Sequence, residues 1–196
     1  MKIIKHIKTA LLQVSLITAT LFGVSCNNTE KPADTRDVAE KQKEIQVDSL
    51  NKVSDAEFLV SAALINLEEI KLGQLAQHNG HLKEVKALGK MMEAAHIKCL
   101  TDLTSLAKQK AIAIPSSPTN EIEDAYQKLS KKTGVEFDNE YSNTMVTGHT
   151  AAIAAFEKAA KESVDTDIKQ WATATLPELH IHLEHAAACQ KKLDKM

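Results

Sequence analysis

FDNEYSNTMVTGHTAAIAAF, residues 137–156, decides the fold. Phe137, Tyr141, Met145, Ala152 and Phe156 fall on one face of an α-helix, and His149 fills the step between Met145 and Ala152. The period is wrong for a strand and the run is too long for one. It predicts a helix from about Val135 to Glu162 with one polar residue in its apolar column.

The flanking sequence repeats that design. A helix from about Asp165 to Leu193 carries Ile168, Trp171, Thr175, Leu179, Ala186, Cys189 and Leu193 inward, with His182 at the missing step and Pro177 expected to kink it near Thr173. Upstream, a helix from about His81 to Lys110 has Val85, Gly89, Met92, Cys99, Leu103 and Leu106 on its inner face, interrupted by His96. Before it, Ser54-Asp55-Ala56-Glu57 reads as a capping box opening a helix with Phe58, Ala62, Ile65, Leu72 and Ala76, interrupted by Glu69 and stopped at Asn79-Gly80. Ile114-Pro115-Ser116-Ser117-Pro118 breaks the chain, and a short helix from about Thr119 to Lys132 makes a crossover before Gly134. The fold expected is all-α: an antiparallel four-helix bundle with a short crossover helix.

Composition agrees. The 196 residues are 43% hydrophobic but only 4% aromatic, with six Gly and four Pro, which suits an Ala- and Leu-rich helical core in one domain. Residues 1–25 are set apart: Lys2, Lys5 and Lys8 precede an apolar stretch from Ala10 to Val24, and Gly23-Val24-Ser25-Cys26 follows the pattern of lipoprotein processing. A run of about 15 apolar residues is short for a hydrocarbon core of ~30 Å. Residues 1–25 therefore read as a lipoprotein signal peptide and Cys26 as the lipidated residue, anchoring the chain to the bacterial envelope, with the outer membrane facing the periplasm as the expected location. The lipobox departs from the usual form, with Gly23 where Leu is customary and Leu21 two positions earlier. Plain secretion and an uncleaved anchor remain alternatives. Residues 26–53 are polar, with Pro32, and read as a flexible tether to a bundle over 54–193, within which Asp37 to Leu50 could form a helix with Val38, Ile45 and Leu50 scattered along it and no continuous apolar face.

Without the leader's three lysines the formal net charge falls from −2 to −5, and the remaining charges alternate in sign without a basic stripe. No nucleic-acid partner is expected. The membrane, through the lipid anchor, is the expected partner; nothing points to a protein partner.

Glu69, His96, His149 and His182 each stand within about one turn of the middle of their helix. Mid-helix residues are level whichever way helices run, and packed helices lie about 8–10 Å apart, so the four side chains can converge in the interior. Three imidazoles and a carboxylate suit zinc, copper, nickel or iron, with affinity falling on acidification. A buried polar network, with Glu69 accepting from a charged histidine, satisfies the same groups without metal.

Asp55-Ala56-Glu57-Phe58, Leu67-Glu68-Glu69-Ile70-Lys71-Leu72-Gly73, Met91-Met92 then His96, Phe137-Asp138 then Tyr141, Gly148-His149, and Leu176-Pro177 then Leu179 and His182 come in order. In this the chain resembles the domain of unknown function 4142 family, a resemblance that implies an outer-membrane protein related to the ferritin-like bundles. The resemblance covers about Asp55 to Leu193 and implies a ferritin-like fold and an envelope location, with Glu69, His96, His149 and His182 in the family pattern. It implies no activity. Family members usually carry an acidic residue just before the helix 2 histidine, where this chain has Ala94-Ala95. Di-iron bundles use Glu from two helices and Glu-x-x-His from the other two. Here Glu93-Ala94-Ala95-His96 is the single match, so ferroxidase chemistry is disfavoured and a mononuclear or non-iron site is expected.

The remaining features read blandly. His180 should face solvent, His185 should flank the core stripe, and His78 and His81 should be exposed. Cys99 and Cys189 lie too far apart in level for a disulfide and read as core residues with free thiols. Tyr141 and Met145, two turns and one turn from His149, read as packing residues, with a supporting or redox role as the alternative. No nucleophile elbow, phosphate-cradling loop or dinucleotide fingerprint occurs. Two functions stay open: a metal-binding or redox bundle using the four interruptions, or a non-metal envelope binding or structural module whose buried cluster only specifies packing.

Overall fold

The computed structural model describes residues 35–196, with side chains from Glu40 onward. The leader and Cys26 lie outside the described residues. The fold is all-α: α1 Thr35–Asn79, α2 Lys83–Gln109, α3 Asn120–Ser130, α4 Gly134–Glu162 and α5 Thr166–Leu193, with no strand among the described residues. No described helix is long and apolar enough to cross a membrane.

Tight turns at 80–82 and 163–165 fold α1 against α2 and α4 against α5, and the two hairpins pack together through α1 with α4 and α2 with α5. One core cluster joins Leu59 and Ala62 of α1, Leu103 of α2, Phe156 of α4 and Ile168 of α5. The other joins Leu72 and Leu75 of α1, Val85 of α2, Tyr141 of α4 and Ala186 of α5. Neighbouring long helices are thus antiparallel, whereas α2 and α4 run the same way. The connector between those two must travel the length of the bundle. It does so with Ile112 and Ile114 against the first cluster and Leu129 of α3 in the second.

The expected helix start at Ser54 is corrected. Ser54 sits inside α1, which runs unbroken from Thr35, so its backbone donors are already taken up by helix and the capping box has nothing to cap. The segment read as tether is helical from Thr35 to Val53. Its side chains from Glu40 to Leu50 are exposed, with Ile45 and Leu50 both open to solvent, which is why the sequence showed no apolar face there. An Asp48–Lys52 ion pair at 2.7 Å bridges one of its turns.

Two buried aspartates tie each hairpin to the other. Asp138 of α4, fully buried, accepts from the backbone N–H of His81 at 2.8 Å and of Leu82 at 2.7 Å, capping the start of α2 from a different helix. Asp55 of α1 accepts from the N–H of Asp165 at 3.1 Å, and Asp165 in turn accepts from Asp167 and Ile168 as the N-cap of α5. At the α1–α2 crossing Gly73 and Gly89 meet backbone to backbone: a Cβ on Gly73 would stand 2.7 Å from the Gly89 carbonyl, and one on Gly89 2.6 Å from that of Gly73. α5 continues through Pro177 without a break in its helical assignment.

Candidate metal centre

Between the two apolar clusters lies a polar layer. In α1 it is Asn66 and Glu69, in α2 His96, in α4 His149 and in α5 His182, each 5% exposed or less. Each helix places its polar residue about one turn from leucine, alanine or methionine core residues on either side, so the same periodic packing that fixes the core fixes the level of the layer.

All four interruptions come together, though not in equal roles. The imidazoles of His96, His149 and His182 offer ring nitrogens that all lie within 4.8 Å of one another, with ring centroids 5.2 to 5.6 Å apart. His149 Nε2 and His182 Nδ1 are 3.2 Å apart. Two nitrogens bound at about 2.0–2.1 Å to one tetrahedral ion are separated by roughly 3.3 Å, so this pair already has the spacing of ligands to a single cation.

Local hydrogen bonds set which nitrogen faces inward. Asn66 Nδ2 donates to the Ala62 carbonyl at 2.7 Å, which leaves Asn66 Oδ1 to accept from His96 Nδ1–H at 2.9 Å. His96 Nε2 then carries a lone pair, buried and without a partner among the described residues. On α4, His149 Nδ1–H donates to the Met145 carbonyl at 2.9 Å, turning its Nε2 lone pair toward His182. This is how metal-ligating imidazoles are generally held, by an outer acceptor on the other ring nitrogen.

Glu69 stands outside that trio. Its Oε1 is 3.7 Å from His149 Nδ1, too far for a hydrogen bond and on the ring edge already committed to Met145. Its Oε2 is buried without a partner, as are the Tyr141 hydroxyl and Ser142 Oγ. The carboxyl lies beneath Gly148, where a Cβ would come 3.5 Å from Oε1.

Burial governs the charge states. Desolvation raises the Glu69 carboxyl to about 8, helped by the charge of Glu68, so it is mostly protonated at pH 7. Burial, then the charges of His149 and His185, lowers His182 to about 4. His96 is pushed well below the usual histidine range by burial and by the charges of His182 and His149, and burial also lowers His149. The cluster at neutral pH is therefore three neutral imidazoles and a neutral carboxylic acid, not a charged histidine paired with a carboxylate.

A family model described as a domain of unknown function, DUF4142, matches residues 39–189. The chain belongs to this family. No curated protein and no solved structure matches it. In this DUF4142 chain the matched region includes residues 39–53, the helical start of α1 that polarity alone had marked as linker.

Several residues of this polar layer gave no signal in sequence. Asn66 looks like one polar residue among many, and only the position of His96 shows that it orients that imidazole. Asp55 and Asp138 stood in the family-like motifs without a role. The histidines outside the core are exposed: His78, His81 and His180 as expected, and His185 beside the buried Ala186 and Cys189, where it borders a surface groove. Cys99 and Cys189 are free thiols; Cys189 is buried and Cys99 only partly so, and burial raises the Cys99 thiol to about 11.

Proposed function

We propose that this protein is an exported envelope lipoprotein whose ferritin-like four-helix bundle holds one transition metal in its core, through His96, His149 and His182. The observation that carries the reading is the inward lone pair of His96 Nε2: buried, fixed in direction by Asn66, and without a partner among the described residues. A network that served packing alone would leave this nitrogen unsatisfied along with Glu69 Oε2 and the Tyr141 hydroxyl. Each such group costs roughly 1–3 kcal/mol. A cation removes the first of these costs directly.

The donor set suits zinc, copper, nickel or iron, all of which accept neutral imidazole. Binding one ion to His149 Nε2 and His182 Nδ1 together requires His182 to carry its proton on Nε2. Asn66 and the Met145 carbonyl hold the other two rings in the ligating tautomer. Glu69, adjoining His149 on the side away from His182, and Tyr141, close enough for its hydroxyl to respond to the Glu69 charge, supply protic groups that can adjust the charge of the site. A bound ion would act as a Lewis acid or, if copper or iron, as an electron carrier.

The ferritin-like reading is supported by the parallel run of α2 and α4 joined by a full-length crossover, which distinguishes this connectivity from a simple up-and-down bundle. The envelope reading is supported by the basic and apolar leader ahead of Ser25-Cys26 and by the lack of a basic stripe.

Metal content by mass spectrometry on protein purified without an affinity tag tests the metal centre. Near-stoichiometric metal that disappears in His96→Ala, His149→Ala is expected. No metal after incubation with zinc, copper and iron would overturn it and leave the packing module standing. Globomycin sensitivity of processing, with loss of lipid labelling in Cys26→Ala, tests the anchor.

A further inference from the structure

The three core imidazoles are each 3% exposed or less, so an ion reaching them must be handed through the surface of the bundle. At the seam between α2 and α5 a groove of about 270 Å³ is lined by Glu84, Leu88 and Met91 on one side and His185 and Cys189 on the other. His185 and Cys189 are four residues apart on α5 and therefore neighbours on one helix face. His185 is exposed, whereas Cys189 is 6% exposed. Glu84 pairs through Oε1 with Lys192 at 2.7 Å, but its Oε2 is buried with no partner among the described residues. The groove is thus lined by a thiol, a thioether and an imidazole.

We propose that this groove is a second metal site, a capture site for monovalent copper using Cys189 Sγ, Met91 Sδ and a ring nitrogen of His185. Two sulfurs and an imidazole are soft donors that select Cu(I) over magnesium, calcium or manganese. On binding, a Cu–S bond forms at Cys189 and the thiol proton leaves to water; no electron is transferred. His185 lies three residues beyond His182, near enough for its charge to act on that ring. The same helix that carries the groove therefore leads to the core trio. Passage of the ion inward rests on the metal reading given above; capture at the groove does not.

The test is anaerobic competition for Cu(I) against a chromogenic bicinchoninate complex, using the full chain with Cys26→Ala so that one further thiol is removed. The His96→Ala, His149→Ala variant is expected to withdraw one equivalent of Cu(I), and adding Cys189→Ala, His185→Ala to reduce this by at least tenfold in affinity. Retention of the equivalent in the fourfold variant would overturn the groove. If the core variant withdraws none while the chain with intact core histidines withdraws one, the groove fails and the core reading survives. X-ray absorption on Cu(I)-loaded protein with all histidines and Cys189 intact supplies a readout independent of variant folding. Sulfur in the copper shell is expected, and a shell of nitrogen alone would overturn the proposal.

Discussion

Glu69→Gln should stabilise the metal-free protein at neutral pH. The carboxyl titrates at about 8 in the fold against 4.5 in an exposed chain, because burial resists its ionisation. Its folded value is raised, so the penalty is absent below pH 4.5, grows as the unfolded chain alone gives up the proton, and levels off above about 8. At pH 7 the penalty is about 3 kcal/mol, at about 1.4 kcal/mol for each pH step separating the two states. Glutamine keeps the shape, cannot ionise and removes that term. A bundle of this size gains roughly 2–4 °C per kcal/mol, so a rise of several degrees in Tm is expected at pH 7. The assay is thermal unfolding by circular dichroism in chelator, parent against variant, from pH 4.5 to 8.5. The advantage should vanish at the acid end. A variant no more stable than its parent at pH 7, or a difference independent of pH, would refute the claim that the buried carboxyl is protonated. The histidines run the other way: with His182 depressed to about 4, the folded state resists the proton that the unfolded chain takes up. The variant should therefore lose stability as pH falls from 6.5 toward 4, whereas in the parent the shrinking Glu69 penalty offsets part of that loss down to pH 4.5.

Asn66→Ala removes the acceptor that orients His96. It should weaken metal binding by about 10–100-fold, read by chelator competition, while leaving metal stoichiometry at saturation unchanged. Gly89→Ala places a Cβ against the Gly73 carbonyl and the Ala76 side chain, which only a separation of α1 and α2 can relieve. A loss of about 1–3 kcal/mol in urea unfolding is expected, with weaker metal retention because Glu69 and His96 stand one and two turns from the contact. Ala111 holds φ 54° just past α2, where Ile112 N–H bonds the Ala107 carbonyl and Ala111 N–H that of Lys108. Glycine is at ease in that left-handed position, so Ala111→Gly should raise stability by about 1 kcal/mol in the same assay.

How far the sequence could be read follows from the range of each interaction. Helix periodicity is local, and it placed α2, α4 and α5 to within two residues and put Phe137, Tyr141, Met145, His149, Ala152 and Phe156 on one buried face. Where the signal was local but ambiguous it misled: Ser54 and Glu57 have capping spacing, yet the helix had begun at Thr35 because an exposed helix needs no apolar stripe to be helical. The level of Glu69, His96, His149 and His182 was legible from counting turns, since mid-helix residues meet whatever the helix direction.

What counting could not supply was rotation and reach. That His96, His149 and His182 draw together while Glu69 stays on the far edge of His149, 3.7 Å from its Nδ1, depends on side-chain torsions set by Asn66 and the Met145 carbonyl. Asp55 and Asp138 act on loops 110 and 57 residues away, a pairing invisible to any local pattern. The charge states belong to the fold as well. A glutamate and three histidines carry ordinary affinities for protons in the unfolded chain; burial between two apolar clusters keeps the glutamate protonated at pH 7 and holds the imidazoles neutral well below it. The sequence by itself thus determined the helices and the layer in which chemistry is possible, because those depend on spacing along the chain. Tertiary structure decided which nitrogens face one another and in what charge state, because those depend on what each group loses when water is removed.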